Sequence, residues 1–391
     1  MFHGKVFIPE YEYKERVKRA ASLIQRDKLD VLIINGNEAE YANTRYFSGF
    51  WPLFERCGVS ISAAGDAALM VGPEIDQFGG DRNRLDKLYV LRAYRESADP
   101  AYPELKPDTF SDVFKGIGVS GKKLRIGVAS FLDTSVVIMD EIKDAFPEAE
   151  IIRSDHIMTE LRSIKSDNEI ACLREGNRIA EEAMKQVIKE IEPGKTELQM
   201  IGVAQRVIYE LGAEYEGMPM YILSEESTRH AISRPSYRKF NKGDIVQLCI
   251  TARIDGYSAN LGFPVVLGKL EGRRRDVVMF GLQSHNWTEK QLKAGVQAAD
   301  VAKGYYNLFK ENGFEENFVY GPMHGTGLIE VEAPWVETNS KYAFEPNMTF
   351  QIDSFIATDT IGVRWEKAVA ITKDGCDVLT NPIGKLYELE F

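Results

Sequence analysis

Gly243-Asp244-Ile245-Val246-Gln247-Leu248-Cys249-Ile250-Thr251-Ala252-Arg253-Ile254-Asp255-Gly256-Tyr257-Ser258-Ala259-Asn260 reads as two apolar strands around a turn. Asp-Gly is a dipeptide that a two-residue hairpin turn favours, because both central positions take positive φ. Strand-like sequence fills 243–267. Alternation places Cys249 and Asn260 on neighbouring strands, able to face one another if the register allows. Taken alone they are a buried thiol and a strand amide, since free cysteine is among the most buried residue types.

Helices surround this hairpin. Ser166–Glu192 carries a long helical pattern stopped by Pro193-Gly194, and Thr196 with Glu197 opens another helix to about Leu211. Downstream, two helices are expected at roughly Arg274–Trp287 and Thr288–Asn312, then strands around Met348–Ala357 and Gly362–Thr372. The order helix–helix–hairpin thus occurs twice, which predicts two related halves facing each other. The first 155 residues alternate differently. An amphipathic helix over Glu10–Arg26 leads into a buried strand, Val31–Gly36. Further strands are expected at Val59–Ala63, Ala67–Val71, Lys87–Leu91, Leu124–Val128 and Glu150–Arg153, with a helix over Ser135–Ala145. This is an α/β domain, and the predicted division is 1–157 and 158–391.

Composition bounds the function. At 391 residues and 44% hydrophobic the chain can bury a real core, which excludes disordered and fibrous classes. The 59 acidic against 48 basic residues give −11, which argues against a general nucleic-acid or anionic-membrane binder. Cys57, Cys172, Cys249 and Cys376 include no CxxC spacing, so neither a disulfide framework nor a zinc ribbon is expected. Met1–Pro9 lacks the apolar core of a leader, and no stretch approaches the ~18 apolar residues of a membrane span. The expectation is a cytoplasmic protein.

Chemistry gathers downstream. His324-Gly325-Thr326-Gly327-Leu328 sets a histidine among small residues that permit close approach of a ligand, with Glu330 and Glu332 just beyond. The alternative is a structural loop histidine. Phe350-Gln351-Ile352-Asp353-Ser354 and Gly362-Val363-Arg364-Trp365-Glu366 each place one carboxylate in an apolar strand, which is costly without a compensating cation, metal or proton. Asp353 and Glu366 flank a loop at Asp359-Thr360 and can meet across a hairpin. An internal ion pair with Arg364 or Lys367 is the competing explanation.

These residues carry a resemblance. Arg162–Ile170, Pro193–Glu197, the His324–Leu328 loop and Glu332-Ala333-Pro334 resemble the pita-bread fold of the creatinase, aminopeptidase P and methionine aminopeptidase family, and the first half resembles the creatinase/prolidase amino-terminal domain. The resemblance implies an α/β (α+β) chain with a carboxy-terminal pita-bread catalytic domain. Its metallopeptidases hold two divalent cations with two Asp, one His and two Glu. The matching positions here are Cys249, Asn260, His324, Asp353 and Glu366, which offer too little negative charge for two ions. The expectation is therefore no cofactor, with a single Mn, Zn or Co ion still compatible.

The metal-free creatinase branch is the nearer likeness. Tyr46–Arg56 resembles the segment with which creatinase reaches into its partner's site, which implies a homodimer and substrate contacts from Phe54 and Arg56, the latter as a bidentate fork on a carboxylate. Tyr257 and Arg364 are further candidates for substrate contact. His230 lies two residues before the position the family's catalytic histidine would take, Ile232, a shift that keeps one face in a strand. Gly262 stands where creatinase has a glutamate, and Trp51, Phe54 and Trp365 are candidates for an aromatic wall. The expected activity is hydrolysis of a C–N bond in a small carboxylate-bearing molecule, with His230, His324, Glu332, Asp353 and Glu366 as catalytic residues. A metal-dependent Xaa-Pro dipeptidase or aminopeptidase is the first alternative, and a non-catalytic binding module the second.

Overall fold

Tyr13, Val17, Ala20, Ala21 and Ile24 form one buried stripe of the helix Glu10–Arg26 (α1), and acidic Glu10 and Glu12 occupy its positively polarised first turn. The computed structural model describes residues 6–380 and 385–391, so the first five residues of the stretch read for a leader lie outside it. Val31–Gly36 (β1) follows, buried at every position. Ala42–Ser48 (α2), Cys57–Ser62 (β2), Ala67–Val71 (β3), Asp76–Arg82 (α3) and Leu88–Val90 (β4) come next. Phe110–Gly116 (α4), Arg125–Ala129 (β5), Val136–Ala145 (α5), Glu150–Arg153 (β6) and Asp155–Ser163 (α6) then lead towards the second half. The strands make one mixed sheet, β4-β3-β2-β1-β5-β6, in which β1 runs parallel to β5 and antiparallel to β2. Val31, Ile33, Met70, Ile126 and Val128 pack there against Phe110, Phe114, Ile138 and Ile142 from the helices. Ile8–Arg162 forms this compact unit, and Ser163–Phe391 belongs to the other.

In the second unit, Asp167–Glu190 (α7) begins with a capping box. The Glu169 amide donates to Ser166 Oγ, and the Ser166 amide donates to Glu169 Oε2. Thr196 and Gln199 repeat the device at Glu197–Glu210 (α8). Pro193-Gly194 makes the turn between them, with Gly194 at φ +95°. Tyr221–Ser224 (β7), Ile245–Ile254 (β8) and Tyr257–Val266 (β9) follow, the last two buried throughout. Asp255 and Gly256, at φ +47° and +91°, form the expected hairpin turn. Gly176 lets α7 lie on this hairpin, since a Cβ there would stand 2.8 Å from that of Ala259.

The second helical pair is Gly272–Gln291 (α9) and Ala298–Glu311 (α10). The break falls at 292–297, not between Trp287 and Thr288 as expected. Gly295, at φ +85°, turns the chain there, whereas Thr288 fits inside α9 by donating its hydroxyl to the Ser284 carbonyl. Met323–Gly325 (β10), Glu332–Trp335 (β11), Thr349–Ala357 (β12), Gly362–Ile371 (β13), Cys376–Val378 (β14) and Tyr387–Glu388 (β15) complete the unit. The main sheet is ordered β11-β10-β12-β13-β9-β8-β7. The hairpins β8–β9 and β12–β13 are joined where Glu366 pairs with Gly262. Among the described residues no helix is long and apolar enough to cross a membrane, and all four cysteines are free.

Candidate active site

Strand register assembles the site. Asp353 is the direct cross-strand partner of Glu366, Gly262 pairs with both Glu366 and Cys249, and His324 lies opposite Gln351. Partners across a strand pair share a face, so the acids of two strands meet beside the cysteine of a third. Side chains alternate along β13. Arg364 and Glu366 turn to this face, while Trp365 donates its indole N–H to the Val278 carbonyl in α9 and Lys367 pairs with Glu289. Trp365 therefore does not line the site, contrary to the aromatic-wall expectation.

One donor atom each from His324, Asp353 and Glu366 lies within 4.8 Å of the others, and all three residues are buried. His324 Nδ1 is 3.0 Å from the Gly325 carbonyl, to which it donates, and Nε2 lies 4.0 Å from Glu330 Oε1. Asn260 Nδ2 donates to Glu366 Oε2 (2.9 Å) and to Glu330 Oε1 (3.1 Å). Cys249 Sγ stands 3.4 Å from Glu366 Oε2. A Cβ on Gly262 would come within 2.8 Å of that oxygen and 2.9 Å of the sulfur, so a glutamate at this position has no room. On the far side Arg364 meets Asp353 at 3.2 Å and donates to Tyr320 Oη, which itself donates to Asp353 Oδ2. The ion pair posed against a functional site thus exists, but within it.

Burial governs the protonation. Loss of water pushes the Glu366 and Glu330 carboxyls well above the ordinary range, and the charge of Asp353 adds to this at both. Burial raises the Cys249 thiol well above its usual value too, reinforced by Glu366, so the residue is a neutral thiol at physiological pH. Burial opposes the charge of Arg364, but Asp353, Tyr320 and Glu366 outweigh it and keep the guanidinium charged.

The donor set tests what metal the site accepts. Three carboxylates against one guanidinium leave −2 when fully ionised, which one divalent ion neutralises and two would overshoot. His324, Asp353 and Glu366 supply three donors, and the buried Asn260 Oδ1 and Gln351 Oε1 lack hydrogen-bond partners. A neutral thiol and an amide stand where two further carboxylates would be needed. The residues fit one ion and do not fit a two-ion centre.

The other expected residues fall elsewhere. Glu332 is buried but forms an ion pair with the equally buried Lys165 at 2.8 Å. His230 closes a 3-10 turn, not a strand, so the face argument does not apply; its ring is exposed and 3.4 Å from Ser233 Oγ. Tyr257 is 1% exposed and donates to Glu169 Oε1, tying the hairpin turn to α7 in place of the expected substrate contact. In the first unit Phe54 is 77% exposed at φ +59°, and half-buried Arg56 donates to the Arg95 carbonyl. Glu330 joins the cluster although the sequence singled it out only as a neighbour of His324. Tyr320 carried no signal at all.

The region 171–373 matches the model of metallopeptidase family M24, and 16–164 matches the creatinase/prolidase amino-terminal domain. A Xaa-Pro dipeptidase of Pyrococcus horikoshii is 26% identical over 370 residues, covering 94% of this chain and 97% of that protein. A second, from Pyrococcus furiosus, is 25% identical with 94% and 98% coverage. An X-Pro aminopeptidase structure from Thermotoga maritima superimposes with a TM-score of 0.81 at 20% identity, over 96% of this chain and 99% of that one. A prolidase from Thermococcus sibiricus gives 0.83 at 20% identity, with 97% and 99% coverage. These structural likenesses establish the fold. The chain belongs to metallopeptidase family M24, with a creatinase/prolidase-type amino-terminal domain preceding the catalytic fold.

Proposed function

We propose that this protein is a hydrolase cleaving the amide C–N bond of a small dipeptide-like substrate of the Xaa-Pro kind, with a single divalent ion at the site. The observation that carries this reading is the buried convergence of His324, Asp353 and Glu366 within 4.8 Å. Relatives named Xaa-Pro dipeptidase over nearly the whole chain support it, and they move the creatinase-like expectation to second place. His324 Nε2, Asp353 and Glu366 would hold the ion. When bound, it supplies Lewis-acid polarisation of a substrate carbonyl.

The chain's own groups do the rest. Glu330, whose carboxyl pKa burial pushes upward, stands at the cluster where it can protonate the departing nitrogen. The Asn260 amide fixes Glu330 and Glu366 relative to one another, while Arg364 and Tyr320 orient Asp353. The working unit in this reading is a cytoplasmic homodimer in which Phe54 and Arg56 reach the neighbouring subunit's substrate.

A second reading, metal-free C–N hydrolysis, is favoured by one observation: Arg364 already offsets Asp353, and Cys249 and Asn260 contribute no charge. Elemental analysis of protein purified without chelator separates the two. About one Mn, Co or Zn per chain, with Xaa-Pro cleavage abolished in His324→Ala and Glu366→Ala, is expected. Metal-free protein whose hydrolysis ignores chelators would overturn the first reading and leave the second.

A further inference from the structure

Glu197, at the first position of α8, is fully buried, and its carboxylate takes four hydrogen bonds from two serines. Oε1 accepts from the Ser224 amide (2.7 Å) and Ser224 Oγ (2.6 Å), while Ser227 Oγ lies 3.2 Å away and donates to the Ser224 carbonyl at 2.8 Å. Oε2 accepts from the Ser236 amide and Ser236 Oγ, both at 2.8 Å. Ser224 and Ser227 precede the segment 228–235, and Ser236 follows it. One carboxylate therefore draws both ends of a loop together, using the full acceptor capacity of its two oxygens.

Between those ends the loop has little core of its own: Ile232 is 86% exposed, and His230 and Arg234 are exposed as well. Its inner contacts are to β13 and the turn before it. Gly362 N donates to Thr228 Oγ1, Arg229 donates to the Asp359 carbonyl, and Arg364 Nη2 donates to the Ala231 carbonyl at 2.8 Å. That same guanidinium pairs with Asp353 and meets Tyr320. The path from the clamp to the site is thus Glu197, the loop ends, the Ala231 carbonyl, Arg364 and Asp353.

We propose that Glu197 is a positioning residue that holds the 224–236 loop closed and so keeps the Ala231 carbonyl on Arg364, and Arg364 on Asp353. Its catalytic consequence rests on the hydrolase reading above; its effect on the loop does not. A glutamine at 197 would present an amide N–H₂ to donors at one end and release it.

Limited trypsinolysis of the full chain tests the clamp, because Arg229–His230 is cleavable in the exposed loop while Arg234 is protected by the following Pro235. Glu197→Gln is expected to speed nicking after Arg229 by about tenfold, since cleavage follows the population of the open loop. Glu197→Asp, which retains the charge, restores part of the protection. In dipeptide hydrolysis Glu197→Gln is expected to lower kcat by about tenfold with KM shifted far less. Glu214→Gln, which removes a carboxylate that accepts from the Gly256 amide at the hairpin turn, changes neither readout. Unchanged nicking in Glu197→Gln overturns the clamp, and faster nicking with unchanged kcat overturns the positioning role. Should that variant not fold, Ser236→Ala removes one donor at one end and is expected to give about threefold faster nicking by the same logic. A wild-type chain inactive on every dipeptide would refute the hydrolase reading, and nicking alone would then decide the clamp.

Discussion

Replacing the Asn260 amide by a carboxylate, Asn260→Asp, changes no shape but reverses what the site does with charge. The wild-type Nδ2 donates to Glu330 Oε1 and Glu366 Oε2, at 3.1 and 2.9 Å. A bond to an ionised acceptor contributes about 1.5–3 kcal/mol and one to a protonated acid about 0.5–1.5 kcal/mol, so with one of the two acids protonated, losing both removes about 2–4.5 kcal/mol. A proton shared among the three acids returns part of this, leaving an expected cost of about 3 kcal/mol at pH 8 after that relief. The sign with pH follows: the new acid has a raised folded pKa, so the native state binds protons that the unfolded state does not, and the penalty shrinks as pH falls towards 6. Urea denaturation in chelator at pH 8 and pH 6 measures it, provided the slope with denaturant is unchanged. Excess Mn²⁺ should stabilise the variant more than the wild type, beyond the roughly 2.7 kcal/mol that a ligand gives at a hundred times its Kd. If Asn260→Asp is as stable as the wild type in chelator at pH 8, the amide does not bridge the acids and the single-ion argument fails with it.

Three further expectations can be checked alongside. Lys165→Met removes the cation paired with buried Glu332 and should cost about 3–5 kcal/mol, most of it recovered in Lys165→Met/Glu332→Leu, as measured by chemical denaturation. His285 is fully buried with Nδ1 on the Trp365 carbonyl, and burial, aided by Lys367, pushes its pKa down to about 3. It therefore contributes stability above pH 6.5 that is lost as pH falls towards 3, at about 1.4 kcal/mol per unit, and His285→Gln should flatten that part of the pH–stability curve. Gly262→Ala forces a methyl against Glu366 Oε2 and Cys249 Sγ, and should cost about 1–3 kcal/mol in stability and reduce turnover; unchanged turnover would mean that Glu366 tolerates displacement.

Local chemistry explains how much of this was legible beforehand. The hairpin around Asp255-Gly256 and the cap at Thr196 are written in consecutive residues, and the structure keeps them. Asp353 and Glu366 were readable because an acid in an apolar strand demands a partner. Glu330 and Glu332 could not be told apart, since both follow the glycines of the His324 loop and only the tertiary approach of Lys165 and Asn260 assigns them different partners. His230 escapes the strand spacing because its segment folds as a turn. The double service of Asp353, to Arg364 and to the cluster, is invisible in the sequence, which cannot show that an ion pair and a site share one carboxylate.

The residues of the cluster sit on β8, β9, β10, β12 and β13 or beside them, and these strands are buried at nearly every position. Amide hydrogen exchange should therefore divide the protein sharply. The amides of Cys249, Asn260 and Glu366 should exchange only through global opening, while those of 229–235 exchange through fluctuations that leave the sheet intact. Heating or mild denaturant would in that case lower turnover through the loop well before the constellation of acids comes apart. Activity lost early and recovered on cooling would then report the loop, and activity lost irreversibly would report the sheet.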